Sequence, residues 1–283
     1  MEKKKIRKSI SKKFQISIIL NFIMFFMLCF VAYYKRDSIK NRIIKLIPNN
    51  NQQKIEKLAL DMNTTVIKPV ISKYKIDSTD KKVKIAFIGN SLTLHSKLES
   101  IGWNHTSGMA ASSLENDYVH KTVKKLAESK NVNIEYALIN LADWEREFEN
   151  FDINRLQKIW DFEPEYIIFQ FGENVSQEDV ITKKETFYNE YIKIIESFGK
   201  SNTKIICLPF WHSNEKNQLF TKVAIETKSF IIDLSHLGNG LDKKNYASSE
   251  INYKHQGVGM HPGDYGMENI SDIIFSVLNV IVE

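Results

Sequence analysis

From residue 83 onward, short apolar runs alternate with longer amphipathic stretches. The runs are 83–88 (VKIAFI), 133–141 (NIEYALINL), 166–171 (YIIFQF), 204–210 (KIICLPF) and 229–234 (SFIIDL). They are brief, rich in β-branched residues and apolar at consecutive positions, as strands covered on both faces must be. The stretches between them place apolar residues at helical spacing over about 115–130, 152–162, 178–199 and 214–227, with a last helix at about 264–281. Strand–helix alternation predicts an α/β domain with a five-stranded parallel sheet and helices on both faces. Right-handed crossovers leave few other topologies.

The pattern before residue 83 is different. Residues 14–34 (FQISIILNFIMFFMLCFVAYY) contain no charge, and at about 1.5 Å per residue they span a hydrocarbon core of roughly 30 Å. Tyr33 and Tyr34 stand where an interfacial aromatic belt belongs. No good cleavage site follows, so the run is expected to be a retained transmembrane anchor rather than a signal peptide. Residues 1–13 hold seven Lys/Arg against one Glu. This predicts a basic cytoplasmic tail, with residues 35–283 outside the membrane. Residues 35–80, broken by Pro48-Asn49-Asn50-Asn51, read as a juxtamembrane linker. The expected organisation is tail 1–13, anchor 14–34, linker 35–80 and catalytic domain 81–283.

Charge narrows the function classes. The whole chain carries a formal +5, but residues 1–13 carry +6 and residues 35–80 another +5, so residues 81–283 are net −6. A mildly acidic domain argues against a nucleic-acid partner. Cys29 falls in the anchor and Cys207 on a core strand, so no disulfide framework is implied. His95, His105, His120, His212, His236 and His255 match no metal-ligand spacing, and neither metal nor cofactor is expected.

In parallel α/β sheets, ligands bind beyond the carboxyl ends of the strands. The residues there are Gly89-Asn90-Ser91, Ala142-Asp143-Trp144-Glu145, Gly172-Glu173-Asn174, Trp211-His212 and, after a long loop, His261-Pro262-Gly263-Asp264. Ser91 is a candidate nucleophile, which needs a base to activate it. His261 is a candidate base, and Asn174 offers an amide donor for an oxyanion.

GNSLT at 89–93, FGEN at 171–174 and HPGDYGM at 261–267 resemble the first, third and last sequence blocks of the SGNH, or GDSL-type, hydrolases. The likeness covers about 83–283, in the right order on the right strand ends. It implies a three-layer flavodoxin-like fold and an acyl-serine mechanism, with Ser91 as nucleophile and His261 as general base. The implied oxyanion donors are the Ser91 N–H, the Asn174 side chain and a second-block backbone N–H. That last donor is Ala142, with Gly108 competing.

Two departures stand out. Asn90 replaces the usual Asp of the first block, and Val258 stands where the family places an Asp three residues before the histidine. His261 would then be oriented by a backbone carbonyl or by another acid, such as Asp233 or Glu173. Asp264 is expected to cap the last helix. Glu145, Arg146 and Glu147 read as a solvated helix start, with substrate binding as the alternative. Trp103, Trp144 and Trp211 are expected to line the rim as a wall that stacks on a sugar ring.

The function these readings point to is an extracytoplasmic serine esterase acting on O-acyl, chiefly O-acetyl, esters of a cell-surface or extracellular glycan. An O-acyltransferase on the same scaffold is one alternative. A catalytically weak glycan-binding or assembly protein is another, suggested by Val258. No apolar lid helix is evident over 81–283 to favour a lipase.

Overall fold

The computed structural model describes residues 68–283. The expected tail, anchor and most of the linker lie outside the described residues. Among the described residues, no helix is long and apolar enough to cross a membrane.

The sheet has six strands rather than five. They are β1 (Val70–Tyr74), β2 (Lys82–Gly89), β3 (Asn133–Asn140), β4 (Tyr166–Gln170), β5 (Thr203–Leu208) and β6 (Phe230–Asp233). Their order is β1-β3-β2-β4-β5-β6. The five anticipated strands are parallel neighbours. The addition is β1, which runs antiparallel along the outer side of β3 and pairs Val70 with Leu138 and Tyr74 with Ile134. Residues 70–74, expected as linker, therefore belong to the folded unit. An edge strand needs apolar cover on only part of its surface, and Val70 and Ile71 remain exposed.

Eight helices follow among the described residues: α1 (Tyr118–Lys130), α2 (Ala142–Glu147), α3 (Gln157–Phe162), α4 (Gln177–Thr182), α5 (Lys184–Glu196), α6 (Asn214–Glu226), α7 (Gln256–Gly259) and α8 (Asp264–Ile281). The stretch 178–199 divides into α4 and α5 because Lys183 leaves helical angles, at φ −119° and ψ 27°.

Side chains alternate across the strands. Ile85, Phe87, Ile134, Leu138, Ile168 and Ile205 pack against Val119, Val123 and Leu126 of α1 and Ile270, Ile274 and Leu278 of α8. Ala86, Ile88, Ile139, Ile167, Phe169 and Ile206 face the opposite layer, with Ile159 of α3, Phe187 and Tyr191 of α5 and Phe220 and Val223 of α6. Two apolar layers thus sandwich the central strands and hold their carboxyl ends in one row.

Candidate active site

Strand β2 stops at Gly89, and the chain turns at once. Thr93 N–H and Leu94 N–H both donate to the Asn90 carbonyl at 3.0 Å. A Cβ on Gly89 would run into Thr93 Oγ1, so the tight turn needs glycine. It delivers Ser91, partly buried, at the sheet edge.

The helical turn α7 and the residue Met260 bring His261 to the same edge. Ser91 Oγ lies 2.8 Å from His261 Nε2. On the far side of the ring, Nδ1 lies 2.8 Å from the Gly257 carbonyl oxygen. A carbonyl only accepts, so Nδ1 carries the ring proton and Nε2 presents its lone pair. The Ser91 hydroxyl therefore donates to Nε2, the arrangement that general-base activation requires. Burial holds His261 down to about 4, aided by nearby His95 and His255 and opposed by the bond to Gly257.

Of the orienting partners the sequence allowed, the backbone carbonyl is present and the two acids are not. Asp233 accepts from Ser235 N–H at 2.9 Å and Ser235 Oγ at 2.6 Å. Glu173 accepts from Asn90 Nδ2, Gln170 Nε2 and Phe210 N–H, each at 2.7 Å. Val258 is fully buried. Asp264 is not the helix cap. Gly263 occupies that position, and the Glu250 carboxylate takes the N–H groups of Asp264 and Tyr265 at 2.9 Å. Asp264 instead ties down Ser112 and Asn116.

The oxyanion side also differs from expectation. The Ser91 N–H makes no hydrogen bond among the described residues. Ala142 N–H, however, donates to Asn140 Oδ1 at 2.8 Å, and Gly108 N–H to Asp117 Oδ2 at 3.2 Å. Both second-block candidates are spent on their own loops. Asn174 Nδ2 gives one hydrogen to Glu145 Oε2 at 2.6 Å. Its Oδ1 accepts from Arg146 at 2.7 Å. The second amide hydrogen is left over.

Glu145 is not the solvated residue that its place at a helix start suggests. It is fully buried, and four donors reach its carboxylate: Asn90 Nδ2 at 3.2 Å, Gly172 N–H at 2.5 Å, Asn174 N–H at 3.4 Å and Asn174 Nδ2. Burial raises the carboxyls of both Glu145 and Glu173. Glu173 is pushed up to about 7, with the Glu145 charge adding to the effect. Asn90 lies between these two acids.

The aromatic wall reduces to one residue. Trp103 and Trp144 are only 1% and 0% exposed. Trp144 packs on Phe171, Phe187 and Tyr191 at centroid distances of 4.7, 5.4 and 5.4 Å. Trp211 is partly exposed, and its ring meets that of His261 edge-on at 5.4 Å and 87°.

No family model matches the chain, and no curated protein matches it. Among solved structures, the chain is similar to a protein designated a GDSL-like lipase from Parabacteroides merdae, at 17% identity and a TM-score of 0.47 over 71% of this chain and 96% of that one. It is also similar to Axe2, an acetylxylan esterase from Geobacillus stearothermophilus, at 16% identity and a TM-score of 0.43 over 71% and 95% of the two chains. A third likeness is to the acetyl xylan esterase AlAXEase, at 18% identity and a TM-score of 0.44 over 69% and 100%.

Proposed function

We propose that this protein is a serine esterase of the SGNH type that removes O-acyl groups, chiefly O-acetyl, from a glycan. The observation that carries this reading is the Ser91 hydroxyl 2.8 Å from the unprotonated nitrogen of His261, with the ring's other nitrogen held by Gly257.

Ser91 Oγ attacks the ester carbonyl, and its proton passes to His261 Nε2. The tetrahedral oxyanion forms beside the unused Ser91 N–H and the remaining Asn174 amide hydrogen, donors already in place when charge develops. Collapse breaks the bond to the sugar oxygen, which leaves with the proton from His261. Water then attacks the acyl-serine, gives its proton to His261 and releases the acid, and Ser91 regains its proton. The absence of an acid at position 258 does not interrupt this cycle. An orienting group mainly sets tautomer and ring position, and the Gly257 carbonyl does both. It supplies no charge to stabilise the imidazolium, so a lower turnover than a full triad gives is expected.

The acetyl and glycan parts of the reading rest on the motif resemblance, on the expected placement outside the membrane through the 14–34 anchor, and on Trp211 beside the base, where an aromatic face suits a sugar ring.

The test is acetate release from 4-nitrophenyl acetate and from an acetylated polysaccharide by the full chain in detergent, with fluorophosphonate labelling of Ser91. Ser91→Ala is expected to abolish both signals. Undiminished hydrolysis in that variant overturns the reading. Transfer of the acetyl group to an added glycan, in place of free acetate, would redirect it to an acyltransferase.

A further inference from the structure

Asn174 follows β4 in the FGEN segment, and its side chain lies between two opposite charges. The Glu145 carboxylate, which only accepts, faces Nδ2 at 2.6 Å. The Arg146 guanidinium, which only donates, faces Oδ1 at 2.7 Å. Flipping the amide would set NH2 against guanidinium and carbonyl oxygen against carboxylate, so one orientation alone is compatible with both neighbours. Glu145 also accepts the backbone N–H of Gly172 and of Asn174. The same carboxylate therefore fixes the segment as well as the side chain. It reaches Asn90, next to the nucleophile, and so links the ends of β2, β3 and β4.

This arrangement has weight because two of the anticipated donors are taken. The backbone N–H groups of Ala142 and Gly108 are occupied, so of the four donors anticipated from the sequence Ser91 N–H and the second Asn174 amide hydrogen remain. A donor misdirected by a fraction of an ångström loses much of its effect on the transition state. The two bonds to Asn174 are charge-assisted, hence stronger than neutral ones, and polarisation by the guanidinium strengthens the remaining N–H as a donor.

We propose that Glu145 and Arg146 are positioning residues that act as a charge clamp, holding the Asn174 amide with its free N–H toward the oxyanion of the Ser91 ester. The inference rests on the esterase reading and adds what governs its transition-state donor.

The test uses the full chain carrying Arg146→Met, Asn174→Ala, both together, and Glu145→Gln, with kcat and KM for 4-nitrophenyl acetate and a thermal melt of each. Asn174→Ala is expected to lower kcat about 100-fold. Arg146→Met is expected to lower kcat roughly 10-fold with KM changed less than about twofold. The double variant should be no slower than Asn174→Ala alone, because Arg146 acts only through that amide. Glu145→Gln, if its melt shows a folded protein, should lose kcat like Arg146→Met. Independent, multiplicative losses in the double variant overturn the clamp, as does an Arg146→Met effect confined to KM. In either case an active parent leaves the esterase reading standing. A parent that neither hydrolyses the ester nor labels at Ser91 removes both.

Discussion

His261 donates its Nδ1–H to the Gly257 carbonyl oxygen 2.8 Å away. The orienting group of the candidate base is thus main chain, four residues upstream, at the start of the turn that carries Val258. A neutral dipole there fixes the tautomer without adding charge. It leaves burial as the main influence on the ring, and burial favours the unprotonated form.

That form is the one able to accept the Ser91 proton, so the acid limb of the pH profile follows. His261 is held down to about 4, and its charge appears only as pH falls through that value. We expect kcat/KM to stay level from about pH 8 to about pH 5 and to fall with a midpoint near 4, below the usual histidine range. Stopped assays in a constant-ionic-strength buffer series measure it. A midpoint near 6.5 would mean that the ring is solvated or faces a carboxylate when the enzyme works.

Placing an acid at position 258 should not help. Val258 is fully buried, and the Gly257 carbonyl already occupies Nδ1. Val258→Asp places a carboxylate in that interior and is expected to cost roughly 3 kcal/mol of stability with no gain in kcat. Chemical denaturation and aryl acetate kinetics decide it. A stable variant with faster turnover would show that the side chain reaches the ring.

Trp103, Trp144 and Trp211 should separate into two kinds. Trp144, packed among Phe171, Phe187 and Tyr191, and the buried Trp103 are core. Replacing either by Ala should cost about 3–5 kcal/mol. Trp211 stands beside His261. Trp211→Ala should keep most stability and raise KM for an acetylated glycan several-fold more than for 4-nitrophenyl acetate. Equal KM changes for both substrates would deny it a sugar contact.

These contrasts show what kind of information the chain carries on its surface. The strand ends were readable because the apolar runs 83–88, 133–141 and 166–171 stop within a residue of the observed ends Gly89, Asn140 and Gln170, and the turn residues after them name the edge to which Ser91 and Asn174 belong. Strand β1 was not readable. VISKY is short and half solvated, and it becomes a strand only by pairing with the free side of β3. Trp144 and Glu145 sit on one short helix at the rim, and sequence position says nothing about which way a side chain turns there. Both turn inward, Trp144 into the aromatic layer and Glu145 onto donors from the segments that follow β2 and β4. The Gly257 carbonyl was foreseeable only as a class of solution, since a main-chain oxygen leaves no residue-type mark. Asn90 carries no such mark either, since only the fold shows that its amide bridges Glu145 and Glu173.

The two acids around Asn90 make stability at that position depend on pH. Asn90 donates to Glu145 at 3.2 Å and to Glu173 at 2.7 Å. Asn90→Asp removes the donor and adds a third buried carboxyl. Glu173 is raised from 4.5 to about 7 in the fold. A carboxyl raised in this way contributes its stability in full below its unfolded value and loses it as pH rises through the folded one. The third acid should therefore cost least near pH 5, where Glu173 holds its proton, and most near pH 8, where the Glu173 charge is added to it. The melting-temperature deficit of Asn90→Asp relative to the parent should grow over that interval, reaching roughly 2–4 kcal/mol equivalent at the alkaline end. Adding Glu173→Gln should recover part of it by removing one charge. A deficit of equal size at both pH values would mean that lost hydrogen bonding, and not repulsion between the introduced carboxylate and those of Glu145 and Glu173, sets the cost.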